Sequence, residues 1–164
     1  MRLFIAIQLS ESMRDAVRRV QDQFTRYGVT GNYIPRENLH LTLAFIGEYP
    51  EPEDVLDVIE SLPMPCFEIA TDGVGAFDDL WWVGIWPSEP LAAYVRALRH
   101  ALANAGIPFD SKRFTPHITF LRGALCGPIG MPGVAIPQAG MSVKHVSLMR
   151  SDRGKAGVSY TELL

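Results

Sequence analysis

The stretch Asn38–Gly47 reads NLHLTLAFIG, and Thr115–Gly123 reads TPHITFLRG. Each contains His-x-Thr followed by an apolar residue, and the two histidines, His40 and His117, stand 77 residues apart. Arg36 and Arg113 each precede their histidine by four positions. With four His and seven Thr among 164 residues, chance supplies about 0.2 such triplets, so finding two is a signal. Both stretches alternate as strands do. Residues i and i+2 of a strand share a face, about 6.5–7 Å apart. His40 and Thr42 therefore face one way and Leu39, Leu41 and Leu43 the other. His117 and Thr119 face together, with Ile118 and Phe120 opposite. An approximate twofold relation between the halves would gather two imidazoles and two hydroxyls around one cavity.

Outward from these strands, the pattern alternates between short apolar runs and amphipathic segments. Leu3–Leu9 reads as a buried strand stopped by Ser10. Ser10 or Ser12 caps a helix that runs to about Tyr27, with Met13, Val17, Val20 and Phe24 at helical spacing, and Gly28 and Gly31 end it. Leu39–Ile46 is a strand, and Glu51–Leu62 a short acidic helix. Phe67–Ala70 and Trp81–Trp86 are strands joined by a turn-rich Thr71–Asp79. A helix starts at Ser88 or Glu89, carries Leu91, Tyr94, Val95, Leu98 and Leu102, and ends at Gly106. Phe114–Leu121, Val143–Met149 and Val158–Leu163 read as strands, and the Gly/Pro-rich Gly123–Gly140 as a connection. Helices and strands mix without a parallel βαβ series, which predicts an α+β fold.

Composition bounds the function. The chain is 48% apolar and 20% charged, a globular balance rather than a disordered one. Its 164 residues suit one domain, 1–164, and bury about two-thirds of the unfolded surface without disulfides. The net charge of −3 argues against a sequence-independent grip on long nucleic acid, which needs a broad basic face. Cys66 and Cys126 belong to no ligand cluster, as a reducing compartment would predict. The apolar run Leu3–Ile7 is too short for a signal peptide or a membrane span. A soluble, cytoplasmic protein is expected.

Two imidazoles that flank a phosphorus can divide the work of phosphoester cleavage. One takes a proton from the attacking oxygen and the other gives one to the leaving oxygen. The ordinary histidine pKa of about 6.5 suits both roles. Thr hydroxyls can donate to the non-bridging oxygens. The scheme needs no metal and no cofactor, and a two-His metal site would lack a carboxylate at ligand spacing on these strands.

At these residues the sequence resembles the 2H phosphoesterase superfamily, and within it the RNA 2',3'-cyclic phosphodiesterases, also called 2'-5' RNA ligases. The likeness covers nearly the whole chain: MRLFIAIQLSE, YIPRENLHLTLAFIGE, RFTPHITFLR and the closing VSLMRSDRGKAGVSYTEL. It implies a bilobal fold in which two antiparallel sheets face each other across a central cleft, with helices outside. It implies His40 as proton donor to the leaving 3' oxygen and His117 as the base that activates water. Thr42 and Thr119 would hold phosphate oxygens, and the product would be a 2'-phosphomonoester. Reversible 2'-5' RNA ligation is the same chemistry run backwards. The implied partners are RNA ends bearing a 2',3'-cyclic phosphate, bound by a monomer.

Arg122 stands where this family often places a phosphate-binding arginine, and Phe45 could stack on a base. Both follow their histidine by five, an odd offset that a regular strand would turn away from the cleft. A bulge or a strand end must restore them. Departures from the family pattern are Tyr33 in place of a common Trp, and Phe77-Asp78-Asp79-Leu80 in place of a stretch that often carries Pro and Arg. The segment 123–140 matches poorly. His100 and His145 read as structural, the latter on one strand face with Val143 and Ser147. Trp81, Trp82 and Trp86 read as core and sheet surface, and Arg14 and Arg18 as a solvated pair on the first helix. Gly73-Val74-Gly75 lacks the rest of a phosphate loop, so ATP binding is not supported. Two rival readings stay open: the same centre acting on a small cyclic nucleotide or sugar phosphate, and a non-catalytic RNA-end binding module.

Overall fold

The computed structural model describes residues 1–163. In chain order it contains β1 (Arg2–Gln8), α1 (Glu11–Arg26), β2 (Thr30–Tyr33), β3 (His40–Glu48), α2 (Pro52–Ser61), β4 (Phe67–Phe77), β5 (Leu80–Ile85), α3 (Glu89–Asn104), β6 (His117–Leu125), β7 (Gly140–Val143), β8 (Ser147–Gly154) and β9 (Gly157–Leu163). A 3-10 turn at Arg36–Asn38 leads into β3. No helix among the described residues is long and apolar enough to cross a membrane.

Local chemistry sets the helix limits. The Ser10 hydroxyl accepts from the Met13 N–H and the Ser88 hydroxyl from the Leu91 N–H, each at 3.3 Å, so each serine satisfies a first-turn donor. Gly28, at φ +81°, turns the chain out of α1. The stripe Met13, Val17, Val20 and Phe24 is fully buried, as its spacing predicts.

The strands form two antiparallel sheets, ordered β3-β1-β8-β9 and β2-β6-β5-β4-β7. Each lobe therefore carries one motif strand, β3 or β6, and these two strands touch where the lobes meet. Helix α1 packs on β6 and β7, and α3 on β3 and β4. The expected bilobal α+β arrangement, with sheets facing across a cleft, is present.

Four expectations need correction. Thr30–Tyr33 is a strand, hidden in the sequence because TGNY has no apolar alternation. Gly31 is required there: an added Cβ would stand 2.8 Å from the Gly123 carbonyl oxygen. Thr71–Asp79 is mostly strand, with only Asp78 and Asp79 left between the paired Phe77 and Leu80. Within it Gly75 serves close packing, since a Cβ would lie 2.3 Å from the Trp82 ring.

The expected strand Phe114–Leu121 begins only at His117 and continues to Leu125. Val143–Met149 is not one strand. β7 pairs with β4 in one sheet and β8 with β1 in the other, so residues 144–146 cross between lobes. His145 therefore shares no strand face with Val143 and Ser147. The connection from 126 to 139 is docked. The Gln23 amide exchanges hydrogen bonds with the Ala135 backbone at 2.6 and 2.9 Å, and the Thr71 hydroxyl donates to the Pro137 carbonyl at 2.9 Å.

Candidate active site

Both motif strands fix their histidine in the same way. His40 Nδ1–H donates to the Asn38 carbonyl at 2.7 Å, and His117 Nδ1–H to the Thr115 carbonyl at 2.6 Å. A carbonyl only accepts, so each contact places the ring proton on Nδ1 and leaves Nε2 unprotonated in the neutral ring. In each case the partner lies two residues earlier in the chain, so the strand entry itself orients the ring.

Beyond this the two sites differ. The Thr42 hydroxyl donates to His40 Nε2 at 2.9 Å. His40 also sits among aromatic rings, with Phe4 at 4.8 Å and Tyr160 edge-on at 5.2 Å between centroids. Burial holds its pKa below the usual histidine range, and the positive charges of Arg122 and Arg14 and the His117 ring push the same way, against the Asn38 hydrogen bond. His117 lies beside Phe77 at 5.3 Å and Trp82 at 5.9 Å. The Trp82 indole N–H is buried without a partner among the described residues.

Each motif strand also carries the irregularity that its site needs. Between Thr42 and Ala44 the pairing of β3 with β1 slips past Leu43, which leaves Leu43 and Ala44 both buried and returns Phe45 to the cleft side. In β6 the pairing with β5 slips past Phe120, so Phe120 and Leu121 are both buried and Arg122 comes out beyond them. Arg122 is near enough to act electrostatically on His40. The odd offsets of Phe45 and Arg122 are thus resolved by bulges. Arg2 covers one side of the Phe45 ring at 4.9 Å.

The neighbouring arginines are unequal. Arg36 binds Glu11 at 2.6 Å and Asp15 at 2.9 Å, so it ties the first motif to α1. Arg113 is exposed and lines the cleft. Arg14 is not the freely solvated residue its sequence context suggested. Its guanidinium donates to the carbonyls of Leu9 at 3.1 Å and Arg36 at 2.6 Å. Arg18 faces Asp22 at 3.8 Å. Tyr33 is half-buried and donates to the Val29 carbonyl at 2.8 Å. His100 contacts Asn104 on α3, and His145 lies 2.9 Å from Glu162. Trp81 is core and Trp86 exposed surface.

Sequence reasoning missed Arg99. From α3 its guanidinium donates to the carbonyl of Leu43, the bulged residue of β3, at 3.2 and 3.4 Å, and to the Lys112 carbonyl before β6 at 2.6 Å. Phe109 and Phe114 flank it at 5.8 and 5.7 Å. One cation thus ties the bulge of one motif to the approach of the other. Nothing in its helical surroundings announces this, because the carbonyls it holds belong to distant segments.

The comparisons agree with this architecture. The family model described as the 2'-5' RNA ligase superfamily matches residues 7–155. An RNA 2',3'-cyclic phosphodiesterase of Escherichia coli K12 is 30% identical over 172 residues, covering 99% of this chain and 93% of its own. One from Methanothermobacter thermautotrophicus is 29% identical over 181 residues, covering 99% and 96%. Among solved structures, E. coli LigT complexed with 3'-AMP superposes with a TM-score of 0.81 at 27% identity, covering 99% of this chain and 94% of that one. With a family model that spans both His-x-Thr strands and relatives alike from end to end, the chain belongs to the 2'-5' RNA ligase superfamily.

Proposed function

We propose that the protein hydrolyses RNA 2',3'-cyclic phosphate ends to 2'-phosphomonoesters, with His40 as general acid and His117 as general base. The observation that carries this reading is the paired geometry. Two histidines on touching strands have Nδ1 tied to the backbone and present Nε2 away from it, that of His40 meeting the Thr42 hydroxyl. The curated relatives' activity supports the same substrate.

In this reaction His117 Nε2 takes a proton from water as its oxygen attacks phosphorus. The bond from phosphorus to the 3' oxygen breaks, and His40 Nε2–H supplies that oxygen's proton. A 2'-phosphate and a 3'-hydroxyl result. Thr42, Thr119 and Arg122 donate to the non-bridging oxygens as charge gathers there. The two imidazoles complete the proton balance, so the reading is of a metal-independent reaction by one bilobal unit, acting as a monomer on RNA ends. With a 5'-hydroxyl in place of water, the same steps form a 2'-5' linkage.

His40 must carry a proton to act as acid, although burial and neighbouring cations disfavour it in the free protein. An anionic phosphate against Nε2 offsets those cations and favours the imidazolium. A low proton affinity then makes His40 a ready donor.

The test is hydrolysis of a short RNA ending in a 2',3'-cyclic phosphate, with excess EDTA, by the wild type and His117→Ala. The expected product resists a 3'-specific phosphatase and forms with the wild type alone. No product from the wild type, or inhibition by EDTA, would defeat the proposal.

A further inference from the structure

The cavity lined by Thr42 and His117 is larger than a phosphate requires, at about 590 Å³. Thr42 and His117 line it together with the rings of Phe45, Phe77 and Phe114, and it holds a single carboxylate, Asp110. Asp110 is exposed, and a carboxylate forms its strongest hydrogen bonds as an ionised acceptor, so it favours a ligand that brings a donor. Asp110 is also held in place. Its N–H donates to the Phe45 carbonyl at 2.8 Å, and its Oδ1 accepts from the Lys112 N–H at 3.0 Å. Oδ2 has no hydrogen-bond donor among the described residues.

The substrate limits what that donor can be. In an RNA ending in a 2',3'-cyclic phosphate, the terminal ribose has no hydroxyl left. Its 2' and 3' oxygens belong to the cyclic phosphate, and its 5' oxygen is esterified. Only the base offers N–H groups. Guanine presents two adjacent ones, N1–H and N2–H. Adenine and cytosine present an amino group. Uracil offers one imino N–H between two carbonyl oxygens, which a carboxylate repels. Aromatic rings beside the carboxylate give any base a stacking surface without choosing among them. The exposed cations Lys112 and Arg113 line the same cavity, and they can meet the acceptor edge of guanine.

We infer that this cavity is a base subsite and that Asp110 selects the base at the cyclic end, guanine first and uracil last. The inference rests on the phosphodiesterase reading above and deepens it.

The test compares kcat/KM for four dinucleotides, ApG, ApA, ApC and ApU, each ending in a 2',3'-cyclic phosphate, with the wild type and Asp110→Asn. The wild type should favour ApG over ApU by about tenfold or more. The substitution keeps an Oδ1 for the Lys112 N–H and replaces the free oxygen by a donor. ApG should then lose most of its advantage while ApU gains. Equal rates on the four dinucleotides by the wild type, or an equal loss on all four in Asp110→Asn, would overturn the subsite. If no dinucleotide is cleaved, the phosphodiesterase reading fails separately. The subsite is then decided by wild-type Kd values for the same four, where tighter binding of ApG supports it and equal Kd values overturn it.

Discussion

His40 and His117 begin from nearly the same local sequence and end in different surroundings. Both rings are oriented by a carbonyl two residues back, and both strands bulge before the residue at the fifth position. Yet His40 is enclosed by Phe4 and Tyr160 and held at Nε2 by Thr42. His117 rests against Phe77 and Trp82, without a hydrogen bond from Thr119. The repeat supplies the candidate groups twice, and the unequal packing gives the two imidazoles the different environments that the proposed acid and base roles call for. A pair of carboxyl groups at other active sites is differentiated on the same principle, by environment and not by type.

The largest expected effect comes from removing either histidine. His40→Ala and His117→Ala should each lower kcat/KM by about 10²–10⁴, with different residual pH profiles. Loss of the base should erase the acid limb, and loss of the acid the alkaline limb. If both variants keep the same limb, the division of roles is wrong.

Next in size is Arg122→Ala, which should lower kcat/KM by about ten- to a hundredfold through a lost charged hydrogen bond. Its sharper readout is the titration of His40 followed by NMR. In the wild type His40 should titrate below the ordinary value of 6.5, because burial and nearby cations disfavour its charged form. Removing the Arg122 charge should move that midpoint upward, toward 6.5. An unmoved midpoint would mean that Arg122 does not face His40.

The smallest effect separates the threonines. Thr42→Val and Thr119→Val should each cost activity by about three- to thirtyfold. Only Thr42→Val should also shift the His40 titration, because only Thr42 bonds to its histidine. Equal shifts from both substitutions would erase the asymmetry between the two halves.

Much of this is legible in the sequence. The His-x-Thr repeat named four candidate residues because strand alternation alone puts them on common faces. The helix starts were narrowed to Ser10 or Ser12 and to Ser88 or Glu89, and Ser10 and Ser88 are the residues that satisfy a first-turn N–H. The need for a bulge before Phe45 and Arg122 followed from parity. Which residue bulges did not, because that depends on how β1 pairs with β3 and β5 with β6.

The misreadings share a cause. Thr71–Asp79 reads as turn-rich, although at Gly75 the glycine makes room for the Trp82 ring. Val143–Met149 looked continuous, although the chain changes sheets at 144–146. Local pattern records what a residue prefers, not what will lie against it.

By itself, therefore, the sequence determined the candidate groups of the centre: which side chains, on which strand face, and in duplicate. Those properties depend on short-range geometry that repeats every two residues. Only the tertiary structure decided that the two imidazoles would differ, that Arg99 would hold the Leu43 bulge, and that Asp110 would stand beside Phe45. Each of these requires segments far apart in the chain to meet, and burial, field and hydrogen-bond partner are properties of that meeting.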